Sequence, residues 1–244
     1  MMGLLALLKE KCGIFTSAID LPREEVARII NAHSAYDWFL YAFDKRAERW
    51  HVCLPSLWIA RNLPRDAVVL ETGCGCAWNL IWLGQRGFSQ LHGMDINREA
   101  LAAGRDLSLL AGLDVRLYEA DCTGPVPLPF AIDVLMALNW TYHDDSFDLE
   151  HFLRCYGERM RPGGNLVMDV VDASYDQVLG NAYLSSDREL PEEQRRPSEY
   201  RVRYSREEVT SALERHGFRI VETFTEEQAV PVVVYVARKM EQQA

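Results

Sequence analysis

The chain has 244 residues, 48 % of them apolar and 25 % charged, enough for one large packed core plus an extension. A formal net charge of −10 repels phosphate backbones, so nucleic acid is not expected as a partner. No apolar run approaches the roughly 20 residues that span a bilayer, which argues against a membrane partner. The opening MMGLLALLKEKCGIF lacks a basic leader and is soon interrupted by Lys9, Glu10 and Lys11. It is read as a helix with Leu4, Leu5, Leu7 and Leu8 on one side rather than as a signal peptide. The six cysteines (Cys12, Cys53, Cys74, Cys76, Cys122 and Cys155) form no CxxC pair. Reduced thiols, a cytoplasmic location and no metal site follow as expectations.

Residues 1–62 read as helical, a lid ahead of the main domain at 63–244. Asp20 is a candidate cap for a helix opening at Pro22, with Glu24 and Glu25 at its positive end. A second helix is expected from Ser34 to Trp50, rich in Tyr36, Trp38, Phe39, Tyr41 and Phe43, and a third over 51–62 before Pro64. At Ala67 the texture changes to Ala67-Val68-Val69-Leu70, an apolar run suited to a strand buried on both faces. Strands at 67–70, 90–95, 114–119, 131–138 and 164–171 alternate with helices ending near Gly87 and at 97–112 and 147–159. That alternation predicts an α/β, doubly wound, mostly parallel seven-stranded sheet with right-handed crossovers. Residues 172–204 interrupt it as a polar insertion bearing Pro191 and Pro197. A helix over 206–216 opens at Ser205 and closes at Gly217. Strands 218–224 and 229–237, linked by Thr225 to Gln228, should pair antiparallel.

In open α/β sheets ligands lie beyond the carboxyl ends of the strands, so those ends carry the functional reading. The first ends Glu71-Thr72-Gly73-Cys74-Gly75-Cys76-Ala77, where Gly73 and Gly75 let backbone approach a ligand and a helix N-terminus follows. A dinucleotide fingerprint would want glycine three residues after Gly75, where Trp78 stands, so a pyrophosphate cradle and a NAD-dependent dehydrogenase are disfavoured. The second strand ends at Asp95, placed to accept from ribose hydroxyls. The third ends Glu119-Ala120-Asp121-Cys122, where a carboxylate and a backbone N–H can read adenine. The fourth ends Asn139-Trp140-Thr141-Tyr142-His143, a polar and aromatic patch at the chemistry position, with His143 a candidate general base. The other histidines (His33, His51, His92, His151 and His216) read as surface or packing residues.

With these residues in order, the sequence resembles the class I S-adenosylmethionine (SAM)-dependent methyltransferases over about residues 66–238. VVLETGCGCAWNL looks like their first motif, HGMDIN their second-strand motif and YEADCTG their adenine motif. MRPGGNLVM is similar to their turn before the fifth strand, and SREEVTSALERHGFRIVE to their late helix and strand. The resemblance implies that Glu71, Gly73 and Gly75 approach the methionine portion, Asp95 holds ribose, and Asp121 with Cys122 holds adenine. One departure stands out: Ala77, preceded by Cys76, replaces the usual third glycine, which suggests a changed pose for the aminocarboxypropyl tail. A narrower resemblance is to the branch that cyclises SAM to azetidine-2-carboxylate and releases methylthioadenosine. It rests on the aromatic lid with Tyr36 and Trp38, on Asn139 as holder of the ligand amine, and on Tyr175, with Tyr142, as shelter for positive charge. Cyclisation is the specific expectation. Small-molecule N- or O-methyl transfer and non-catalytic SAM sensing are its rivals, each in a monomer or homodimer.

Overall fold

A computed structural model describes residues 18–177, 181–187, 189–225 and 230–241. The expected N-terminal leucine helix with Cys12, and the link from Glu226 to Gln228, lie outside the described residues. Helix α1 (Arg23–Ala32) is followed by α2 (Asp37–Asp44), a 3-10 turn (Arg46–Glu48) and α3 (Trp50–Asn62). The alternating region then runs β1 (Val68–Thr72), α4 (Trp78–Gly84), β2 (Gln90–Asp95), α5 (Arg98–Leu110), β3 (Val115–Glu119), β4 (Ile132–Ala137), α6 (Leu149–Gly157) and β5 (Met160–Val171). It closes with α7 (Arg206–Arg215), β6 (Phe218–Thr225) and β7 (Val232–Lys239). The seven strands form one sheet in the order β3-β2-β1-β4-β5-β7-β6. Pairing is parallel for β2 with β3, β1 with β4 and β4 with β5, and antiparallel for β5 with β7 and β6 with β7. This is the expected doubly wound architecture, with the last two strands paired as their short link requires.

The described chain divides into two compact units. The first holds the residues up to Ala67 together with Cys74–Glu119; the second holds Val68–Gly73 and the residues from Ala120 onward. In the first, α1 buries Val26, Ile29 and Ile30 on its 3.6-residue stripe. Helix α5 is capped by Asn97, whose side chain accepts from the Ala100 N–H at 2.8 Å. In the second, α7 opens with the capping box of Ser205 and Glu208 and stops before Gly217 at φ +72°.

Three local expectations need correcting. Asp20 does not cap α1: Pro22 holds the cap position with no side-chain bond, while the Asp20 backbone is bonded on both sides to the Gln85 amide. The aromatic stretch is not one helix to Trp50. It breaks at Lys45, where Arg46 turns inward to Asn79 Oδ1 (2.6 Å) and Ser56 Oγ (3.1 Å), a long-range demand that local periodicity does not register. Strand β5 starts four residues early at Met160, with its register against β4 shifting between Ile132 and Val134.

Candidate functional site

In the first unit the glycine loop is tied to the tip of β2. The Cys74 N–H donates to the Met94 carbonyl at 2.9 Å, and the Gly75 N–H donates to Asp95 Oδ2 at 2.7 Å. Asp95 Oδ1 accepts from the Asn97 N–H at 2.8 Å. A carboxylate has about four acceptor sites, so two backbone bonds leave Asp95 capacity for a pair of hydroxyls. Ala77, at the position of the usual third glycine, takes φ +63° and ψ 30°. The loop thus keeps the left-handed turn a glycine would make, at a cost of about 1 kcal/mol for a residue with Cβ. Cys76 is fully buried, and burial, with Asp95 adding, pushes its thiol far above the ordinary range, so it is no nucleophile. His92 is buried beside Tyr118 in the same unit, and burial lowers it to about 4, the mark of a neutral packing histidine.

Helix α2 meets this loop through a residue that sequence reasoning did not single out. A Cβ on Gly75 would sit 2.5 Å from Phe39 Cε1, so the glycine is required by an aromatic ring of the protein itself. The Trp78 indole N–H donates to the Phe39 carbonyl at 3.1 Å, and Phe43 packs on Trp78 with ring centroids 5.2 Å apart. Tyr36 and Trp38, the aromatics expected at the ligand, are 67 % and 45 % exposed. Tyr36 stacks on Phe39 at 6.4 Å, and Trp38 lies under the Arg49 guanidinium at 4.9 Å. Helical spacing alone did not distinguish these aromatics, because all lie within about two turns.

In the second unit the tip of β4 is organised by Asp169, a buried carboxylate on β5 that sequence reasoning missed. Asp169 Oδ1 accepts the Asn139 N–H at 2.8 Å, and Tyr142 Oη lies 3.3 Å from both Asp169 Oδ2 and Asn139 Oδ1. Thr141 Oγ1 donates to the Asp169 carbonyl at 2.9 Å. Held this way, Asn139 adopts φ +62°, a left-handed conformation that asparagine tolerates better than most residues. His143 Nδ1 is 2.9 Å from the Glu199 carbonyl. A carbonyl only accepts, so Nδ1 carries the proton and, in the neutral ring, the lone pair is on Nε2. The ring is flanked by Tyr142 and Tyr200, with centroids 4.6 and 5.6 Å away.

The remaining expected residues of this unit fall as follows. Glu71 and Tyr142 are almost wholly buried. Trp140 covers Gly73: a Cβ there would lie 2.9 Å from the indole Nε1. Asp121 Oδ1 accepts from both the backbone N–H and the hydroxyl of Thr123, at 2.9 and 2.7 Å, which holds its carboxyl below the usual range. Cys122 is buried, and its carbonyl accepts from Tyr156 Oη at 3.3 Å. Tyr175 is 6 % exposed, with its hydroxyl 3.0 Å from Ser198 Oγ and its ring beneath the Arg203 guanidinium at 5.3 Å. It pins the 172–204 segment. Among the described residues no group of three or more metal-ligating side chains is assembled, and no helix is long and apolar enough to cross a membrane.

Comparison with known proteins places these features in a family context. A family model described as "Methyltransferase domain" matches residues 43–223. A protein named "Methyltransferase GfsG" from Streptomyces halstedii is 26 % identical over 170 residues, covering 66 % of this chain but only 60 % of the relative's length. Among solved structures, a SAM-dependent methyltransferase from Clostridium acetobutylicum is similar with a TM-score of 0.62 at 17 % identity, covering 84 % of this chain and 99 % of that one. Magnesium protoporphyrin IX methyltransferase from Synechocystis, solved with bound SAH, is similar with a TM-score of 0.63 at 15 % identity, covering 96 % and 98 %.

Proposed function

The chain belongs to the methyltransferase-domain family, and on that premise we propose that it moves the methyl group of SAM to a small-molecule acceptor, with His143 taking the acceptor's proton. The sulfonium of SAM supplies an activated methyl carbon; the protein's part is to orient, to exclude water and to receive a proton. The observation that carries this reading is the tautomer of His143: Glu199 holds Nδ1–H, which presents Nε2 as a base. Asn139, steadied by Asp169, offers an amide to position the nucleophile. Asp95 is assigned to the ribose hydroxyls, and Asp121 with Cys122 to the adenine. The similarity to an enzyme named for acting on a magnesium porphyrin supports a small-molecule acceptor, as does a net charge of −10, which opposes nucleic acid.

Cyclisation of SAM on itself draws less support from the geometry. Of the residues that suggested it, Tyr175 is engaged with Ser198 and Arg203, and Tyr36 and Trp38 are exposed. One experiment separates the readings. The purified chain is incubated with SAM, alone and with pooled candidate acceptors, and products are followed by mass spectrometry. Methyl transfer predicts S-adenosylhomocysteine only when acceptor is present. Methylthioadenosine with azetidine-2-carboxylate and no acceptor would replace this reading by cyclisation, and tight binding without turnover would replace it by sensing. His143→Gln should lower kcat on the order of 100-fold, the usual contribution of a positioned base, with KM for SAM unchanged.

A further inference from the structure

The 172–204 segment returns to the β4 tip through three consecutive residues, and each meets it differently. Glu199 offers its carbonyl to His143 Nδ1 at 2.9 Å. Tyr200 sets its ring 5.6 Å from the imidazole, with the planes 32° apart. The Arg201 N–H donates to the Tyr142 carbonyl at 2.7 Å, where the Val202 N–H joins it at 3.2 Å. The Arg201 guanidinium donates to Asp145 Oδ2 at 2.6 Å. Asp144 Oδ1 takes the N–H and the hydroxyl of Ser146 at 2.8 and 2.7 Å. Both carboxylates that follow His143 are thus engaged with donors other than its imidazole.

Which nitrogen of a neutral imidazole keeps the proton is decided by the hydrogen bond its ring makes. Here that bond is at the surface, where water competes with the Glu199 carbonyl for the Nδ1–H. Something must keep the ring on the carbonyl. Tyr142 is almost wholly buried and bonded to Asp169, so it is a fixed wall on one side of the imidazole. Tyr200 closes a triangle with these two rings, its centroid 5.7 Å from Tyr142, and its far side meets Tyr175 at 5.4 Å. Backed on two tyrosines, it leaves the imidazole little room to swing out or to flip. We infer that Tyr200 is a positioning residue for His143: its ring holds the imidazole on the Glu199 carbonyl and so keeps the lone pair on Nε2. This rests on the reading of His143 as the base and names the residue that keeps it in its basic form. A ring released from the carbonyl would populate both tautomers, and the fraction with the proton on Nε2 has no lone pair there to accept another.

The test needs neither SAM nor a methyl acceptor. The full chain is labelled with 15N, and ring proton–nitrogen correlations are recorded at a pH where the imidazole is neutral. They separate a protonated ring nitrogen from one that carries a lone pair. The chain has six histidines, and the signals of His143 are those lost in His143→Gln. Wild type should show the proton on Nδ1. Tyr200→Phe, which keeps the ring, should show the same. Tyr200→Leu should move the balance toward Nε2–H on the order of 10-fold, as for loss of one aromatic contact. In that variant the Arg201 and Val202 amide protons should still exchange slowly, because their bonds to the Tyr142 carbonyl remain. A wild-type balance in Tyr200→Leu would overturn the inference. So would a shift accompanied by fast exchange of both amides, which would make Tyr200 a packing residue of the segment. Proton on Nε2 in the wild type would instead remove His143 as the base, and the inference with it. Should Tyr200→Leu not fold, Tyr200→Met, an unbranched chain that fills gaps without a ring, is read in the same way.

Discussion

The glycine loop of the first unit and the β4 tip of the second are built on opposite principles. The loop is main-chain work: Gly75 and Asn97 donate backbone N–H groups to the Asp95 carboxylate, and Ala77 bends the chain into the start of a helix. The β4 tip is side-chain work: a buried Asp169 gathers the backbone N–H of Asn139, the phenol of Tyr142 and, through its carbonyl, the hydroxyl of Thr141. A main-chain device tolerates substitution wherever the backbone angles survive, as Ala77 shows. A side-chain device depends on one buried group, because its partners lose an acceptor in a dry place when it is lost.

That contrast can be broken most sharply at Asp169. Asp169→Ala should destabilise the fold by about 2–4 kcal/mol, since the Asn139 N–H and the Tyr142 hydroxyl both lose an acceptor; a denaturant titration giving less than about 1 kcal/mol would mean the tip does not lean on it. At the loop, Asp95→Ala should cost about 1–3 kcal/mol of SAM binding through unpaired hydroxyls, with a smaller change in stability. Calorimetry showing unaltered affinity would remove Asp95 from the ribose. The smallest effect belongs to Ala77→Gly, which relieves the left-handed backbone and should raise stability by about 0.5–1 kcal/mol. A decrease would mean that the buried methyl packs better than the turn is strained.

The same contrast accounts for what was legible before any coordinates. Strand β2 was expected at 90–95 and lies at Gln90–Asp95, and the capping box at Ser205 is where its spacing put it. Such features depend on neighbours a few residues away. Phe39 over Gly75 was missed because its partner is 36 positions distant, and nothing in the helix pattern ranks it above Tyr36. Asp169 was missed for the same reason: inside an apolar strand, a lone aspartate has no local signature of its role. Tyr175 stood out as a tyrosine following a strand, and its contacts with Ser198 and Arg203 had no local signature.

The amino-acid sequence by itself determined the alternation of strands and helices, the parallel sheet that follows from it, and the acidic and glycine positions at the strand ends. All of these come from periodicity and chirality acting over short stretches of chain. Tertiary structure alone decided which aromatic rings cover the two glycines, which carboxylate steadies Asn139, and which nitrogen of His143 keeps its proton. Those outcomes rest on hydrogen bonds and close contacts between segments far apart in the chain, and such contacts come into being only when the sheet brings the segments together.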